Sequence, residues 1–214
     1  MKRIINICAV VLIALLLSSC TVVVEDEESY IESKDIQNHY DVSSNNVVVK
    51  YCNDAKNNDY EIMLVQTDEL PLSPEDDDFD IYKSAYYGEF ELWLIKDESI
   101  VDLLNLNDLF GVENIGFIGK FDLVRDDLNN DGKMDFNIGI INENSFNYIV
   151  FTVKENSFKV FTFDGSKILK SASTHHSEEF ERGAEGEIVI TLPKNVGGFY
   201  EKRYYWKGDE FKSN

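Results

Sequence analysis

The period of apolar and polar positions changes once along this chain. Residues 4–17 are apolar at every position except Asn6. From Val47 onward, short runs rich in β-branched and aromatic residues are separated by clusters of Asn, Asp and Gly, the pattern of strands joined by turns. These runs predict strands at 47–52, 60–66, 81–87, 89–96, 115–124, 136–141, 147–153, 158–163, 187–192 and 199–206. Alternation is clear in the fourth run, where Phe90, Leu92 and Leu94 share one face and Glu89, Glu91, Trp93 and Ile95 the other. One helix is predicted, Ser99 to Phe110, with Ser99 as its cap, Gly111 as its stop, and Ile100, Leu103, Leu104 and Leu106 on one face. The expected fold is all-β, or mainly β with one short helix. It would be a single antiparallel β-sheet domain, either a sandwich or a propeller-blade-like meander.

Two stretches break this pattern. Pro71 to Asp80 contains two prolines and the run Glu75-Asp76-Asp77-Asp78, and Lys170 to Gly186 has no apolar period. Both are expected to be exposed excursions between strands.

The amino-terminal apolar run follows Met1-Lys2-Arg3 and ends in Leu17-Ser18-Ser19-Cys20. A basic start, an apolar segment and small residues before a cut site make a secretory signal peptide. Fourteen helical residues rise only about 21 Å, short of the roughly 20 residues that cross a bilayer. Leu17, Ser18, Ser19 and Cys20 resemble the bacterial lipoprotein signal at all four of its positions: an aliphatic residue, two small residues and a cysteine. The resemblance implies cleavage before Cys20, lipid on its sulfur and acylation of its amino group. It implies anchoring on the extracytoplasmic face of a bacterial cell membrane, or in the outer membrane of a two-membrane organism. The expected organisation is a signal peptide at 1–19, a lipidated cysteine with an acidic tether at 20–46, and a β domain at 47–214. Glu25-Asp26-Glu27-Glu28 is the charged part of the tether.

Charge narrows the partners. The chain carries 20 basic and 40 acidic residues, for a net charge of −20. Cleavage would remove Lys2 and Arg3 and leave 195 residues at −22. Nucleic acid and anionic lipid headgroups would be repelled by such a surface, whereas divalent cations and cationic ligands would be attracted. Cysteine usage agrees with the signal. Cys8 would leave with the signal peptide and Cys20 would carry lipid, so Cys52 stands alone, without a disulfide partner, and is expected to point into the core.

The sharpest internal motif is Asp127-Leu128-Asn129-Asn130-Asp131-Gly132-Lys133-Met134-Asp135. Oxygen side chains at positions 1, 3, 5 and 9, with glycine at 6, match the first nine positions of a calcium loop. Calcium takes six to eight oxygen ligands, so a tight turn must aim alternate side chains at one point. Asp127, Asn129, Asp131 and Asp135 with the Lys133 carbonyl would supply five of them. An EF-hand ends in Glu at position 12, and here that position is Ile138. A strand–loop–strand of this kind resembles the calcium repeat of integrin-like β-propellers and related bacterial surface repeats. That resemblance covers about 25 residues and implies a structural Ca2+ site. At millimolar calcium and the affinity of extracellular modules, the ion would contribute about 0–1.5 kcal/mol.

Other constellations are thinner. His175-His176 with Glu178 and Glu179 has zinc-ligand chemistry, yet adjacent histidines point apart in an extended chain and no second cluster completes a tetrahedron. The Glu75–Asp80 run is a second cation candidate, and Tyr205 or Trp206 a carbohydrate platform; a solvated loop and core packing are the expected roles. The sequence contains no GxSxG, HExxH, P-loop or dinucleotide fingerprint. The expected function is therefore a non-enzymatic, membrane-anchored module binding an envelope or extracellular protein or polysaccharide. The alternatives are a hydrolase of envelope polymer and an inhibitor of a cationic enzyme such as a lysozyme.

Overall fold

The computed structural model describes residues 47–54, 60–71, 75, 85–97, 99–119 and 121–214. The tether and Cys20 lie outside these residues, as does the acidic run apart from an exposed Glu75. So does the side chain of Cys52, of whose strand only the backbone is described.

The described residues are mainly β with one short helix, and their strands form three antiparallel sheets. The first sheet is β1 (Val47–Asp54), β2 (Tyr60–Glu69), β3 (Ala85–Lys96) and β4 (Ser99–Asn105) in that order, with β5 (Ile115–Ile118) also pairing β3. The second sheet contains β6 (Arg125–Asp126), β7 (Asp135–Asn142), β8 (Ser145–Lys154), β9 (Ser157–Val160) and β10 (Leu169–Ser171). It runs β10-β8-β7-β6, with β9 also pairing β8. The third sheet is a meander of β11 (Glu181–Arg182), β12 (Ile188–Pro193), β13 (Phe199–Trp206) and β14 (Phe211–Ser213).

Period-2 geometry explains the layering. Phe136, Ile138 and Ile140 of β7, with Ile149, Phe151 and Val153 of β8, share a core with Ile62, Leu64, Phe90, Leu92 and Leu94 of the first sheet. The opposite face of β8, carrying Phe146, Tyr148 and Val150, joins Ile188, Ile190, Leu192, Tyr204 and Phe211 of the third sheet in a second core. The second sheet is thus a middle layer buried on both faces, which is why β8 is buried at nearly every position and carries the unbroken apolar run Tyr148 to Phe151 instead of alternating.

The expected helix at 99–110 is corrected. Ser99 begins a strand, β4, which pairs β3 from Lys96↔Ser99 to Glu91↔Asn105 with an irregularity between Leu94 and Ile95. The spacing of Ile100, Leu103 and Leu104 suits a bulged strand as well as a helix, and pairing with β3 decides between them. Within the expected span, α1, Leu106–Phe110, is the helical part; Asn105 caps it by accepting from the Asp108 N–H, and Gly111 ends it in the left-handed region. Asn107 docks this turn on β3. Its side chain accepts from the Phe90 N–H at 2.8 Å and donates to the Glu113 carbonyl at 2.7 Å.

Lys170 to Gly186 is corrected as well, because it is not an exposed excursion. Ser171, His176 and Phe180 are buried. The anchor is Asn137 of β7, whose amide donates to the Glu178 carbonyl and accepts from the Glu178 N–H. Polar anchoring of this kind leaves no apolar period to read.

A candidate metal loop closed on the middle sheet

The Asp127–Asp135 segment leaves β6 and enters β7, and its ends are held together by the pairs Arg125↔Phe136 and Asp126↔Asp135. Its side-chain oxygens gather the loop's own amides. Asp127 Oδ1 accepts from the Asp131 N–H and Asp127 Oδ2 from the Gly132 N–H, both at 2.9 Å. Asn129 Oδ1 accepts from the Asp131 N–H at 3.0 Å, and Asp131 Oδ1 from the Lys133 N–H at 2.9 Å. The turn needs two left-handed residues, Asn130 (φ 58°) and Gly132 (φ 83°), types that tolerate this conformation. Leu128 fixes the loop from inside, since it is buried in the second core.

Asp135 is the exceptional member. It is 1% exposed. Its Oδ2 accepts from the Leu128 N–H at 2.9 Å, while its Oδ1 is buried without a hydrogen-bond partner. Burial above all, with repulsion from Asp131 and Asp127, raises its carboxyl from the ordinary 3.8 to about 7, against the opposing pull of the Leu128 hydrogen bond and the nearby Thr152 hydroxyl. A buried, half-satisfied carboxylate beside two others is costly unless a cation neutralises it. Among the described residues, no three His, Cys, Asp or Glu side chains form a finished metal cluster. The oxygens of the motif include an amide and a carbonyl, and its outer carboxylates are turned onto loop amides. Ile138, at the position of the EF-hand glutamate, is buried in the first core. A twelfth-position ligand is therefore absent here.

Arg182, which sequence reasoning missed, braces the loop from the third sheet. Its guanidinium donates to the carbonyls of Asp127 (2.6 Å), Leu128 (3.0 Å) and Gly186 (3.0 Å), and to Asp126 Oδ2 (3.1 Å). A separation of more than fifty residues hides this partnership from any local motif.

No family model, curated protein or solved structure matches this chain.

The remaining candidates are placed by their contacts. His176 is buried with both ring nitrogens engaged. Nε2 accepts from the Ile118 N–H at 3.0 Å and Nδ1 faces the Gly139 carbonyl at 2.8 Å. An amide must donate and a carbonyl must accept, so the ring is the neutral Nδ1–H tautomer. Neither nitrogen is left for zinc, and burial holds its pKa below the ordinary 6.5. The rings of Phe117, Phe121 and Phe146 surround it with centroids 5.1–5.4 Å away, so it ties β5 to β7 as a core residue. His175 is exposed, and its carbonyl accepts from the Tyr148 hydroxyl. Trp206 packs against Phe161 and Phe211, and Lys207 lies over the Tyr205 ring. A shallow cleft of about 280 Å³ beside the loop is lined by Tyr60, Lys96, Lys133, Val153, Glu155 and Asn156. It is slightly smaller than the usual ligand pocket.

Proposed function

We propose that this chain is a lipid-anchored extracytoplasmic protein whose β domain is a non-enzymatic binding module clipped by a structural calcium ion. The observation that carries the ion is Asp135, whose buried Oδ1 has no hydrogen-bond partner and sits at the end of a loop rich in oxygen donors. Asp127, Asn129, Asp131, the Lys133 carbonyl and Asp135 would hold it, and the ion would supply the positive charge that this buried carboxylate lacks. Placing the loop on the middle sheet makes it a clip: its closure holds β6 against β7 and, through Arg182, the third sheet against the second. The anchor rests on the Leu17–Cys20 signal and the acidic residues after it. The binding role rests on that address together with the high negative charge.

Thermal melting with calcium and with chelator tests the ion. Calcium is expected to raise the melting temperature of the native chain and not that of Asp131→Ala. An equal melting temperature in both conditions for the native chain would refute the site. Cys20→Ser tests the address, since it should release the chain from the membrane fraction and abolish acyl mass on the first mature residue. Retention of either property would refute the anchor.

A further inference from the structure

The β12–β13 hairpin ends in apolar side chains that the described fold leaves uncovered. Val196 is 93% exposed, Phe199 62% and Tyr200 47%. Consecutive strand residues point to opposite faces. Exposure of both Phe199 and Tyr200 therefore means that this end of the hairpin projects beyond the packed layers. Its ladder runs to the pair Pro193–Phe199, and beyond it the Lys194 N–H donates to the Gly198 carbonyl at 3.0 Å across the turn. In a chain with 40 acidic residues, none lies between Glu187 and Glu201, and Lys194 is the sole charged residue of that stretch.

We propose that this hairpin end dips into the headgroup region of a phospholipid bilayer, with Val196 and Phe199 toward the acyl boundary and Tyr200 and Lys194 among the headgroups. Three properties select a bilayer. Aromatic side chains favour the membrane–water interface. A segment entering it gains from pairing its own backbone, as this hairpin does up to the Lys194–Gly198 turn, and the hydrated headgroup region can satisfy the few polar groups of the tip. Carboxylates are repelled by an anionic surface and lysine is attracted, and the stretch has the second without the first. A protein partner fits less well, because three side chains on a narrow tip are far from the roughly 1,000 Å² that a specific interface buries. A shallow membrane contact needs no such area and strengthens another anchor additively. The inference relies on the anchored reading only to bring a bilayer near.

The test uses the full chain carrying Cys52→Ser, purified in detergent, with an environment-sensitive fluorophore on Val196→Cys. A second form carries the label on Asp209→Cys, in the turn at the other end of β13 and roughly 25 Å away at about 3.3 Å per residue. Both are reconstituted into phosphatidylcholine–phosphatidylglycerol vesicles containing nitroxide lipid. The expected result is blue-shifted emission and several-fold stronger quenching at 196 than at 209, with most of the difference lost in Phe199→Ser/Tyr200→Ser. Equal quenching at the two sites overturns the proposal. So does a shift at 196 that depends on protein concentration in the absence of lipid, which would make a second copy the occupant. Mass analysis of the Cys20 peptide separates the two readings. An unmodified Cys20 removes the anchor, and the same comparison with added vesicles, in chains that also carry Cys8→Ser and Cys20→Ser, still decides the hairpin.

Discussion

Replacing Asp135 with Asn separates the cost of a buried charge from the benefit of an ion. Moving this carboxyl from 3.8 to about 7 corresponds to about 4 kcal/mol at 1.36 kcal/mol per pH unit. The sign follows from where each state releases its proton. The unfolded chain ionises near pH 4 and the folded chain near pH 7, so in between the folded state holds more protons and stability falls as pH rises. In chelator, native stability is therefore highest below pH 4 with respect to this group, and its contribution is fully lost above pH 7. Asn has no such titration. Its NH2 must sit where Oδ1 had no donor facing it, which costs about 1–3 kcal/mol. Asp135→Asn should therefore be more stable than the native chain by about 1–3 kcal/mol at pH 8 in chelator, and less stable at pH 4, where nothing offsets the amide cost of about 1–3 kcal/mol. Millimolar calcium should stabilise the native chain and leave the variant where it was. Denaturant unfolding at pH 4, 6 and 8, each with calcium and with chelator, reads all of these values. The difference between the two chains cancels Glu178, whose burial also raises its pKa, and Glu187, whose pKa hydrogen bonding lowers. A native-minus-variant difference that is flat from pH 4 to 8 in chelator would refute the buried-charge argument.

Further outcomes are expected elsewhere. Arg182→Gln should cost at least about 2 kcal/mol even in chelator, because a forked donor to four oxygens is lost, and Arg182→Lys should restore less than half; full rescue by Lys would count against the fork. Gly139→Ala places a Cβ 2.5 Å from the Tyr148 ring and should cost about 1–3 kcal/mol, with Tyr148→Leu in the same chain recovering part of it. Strict additivity in that cycle would refute the clash. His176 is a base held below its ordinary 6.5, so the unfolded chain takes the proton first and stability should fall as pH drops below about 6.5. Imidazole nitrogen shifts should show the Nδ1–H tautomer unchanged down to that pH; titration at or above 6.5 would contradict the assignment.

Strands were the legible part of this chain, because period 2 is a local signal. The run at 199–206 coincides with β13, and 60–66 and 136–141 each lie within a longer observed strand. Wherever tertiary pairing overrides local spacing, the sequence misleads, as it does at Ser99–Asn105. The span 115–124 is also misread, since β5 ends at Ile118 and only Arg125–Asp126 pairs again. Two cores instead of one were not readable either, although the unbroken apolar run of β8 carried the signal of a strand buried on both faces. At the candidate site, all five loop positions were visible because their chemistry is sequential. Arg182 and the tautomer of His176 were not, because their partners lie far along the chain and are largely backbone atoms, which carry no sequence identity.

The middle sheet also governs where the charge of this protein resides. Across β7 and β8 there is one carboxylate, Asp135, whereas the whole chain carries 40. Repulsion is thereby crowded onto the remaining surface, where it is screened over about 8 Å at physiological ionic strength. Sodium chloride alone should then make the folded state more durable, with no ion bound at all. Divalent titrations must accordingly be run at matched ionic strength, since calcium salts screen as well as coordinate.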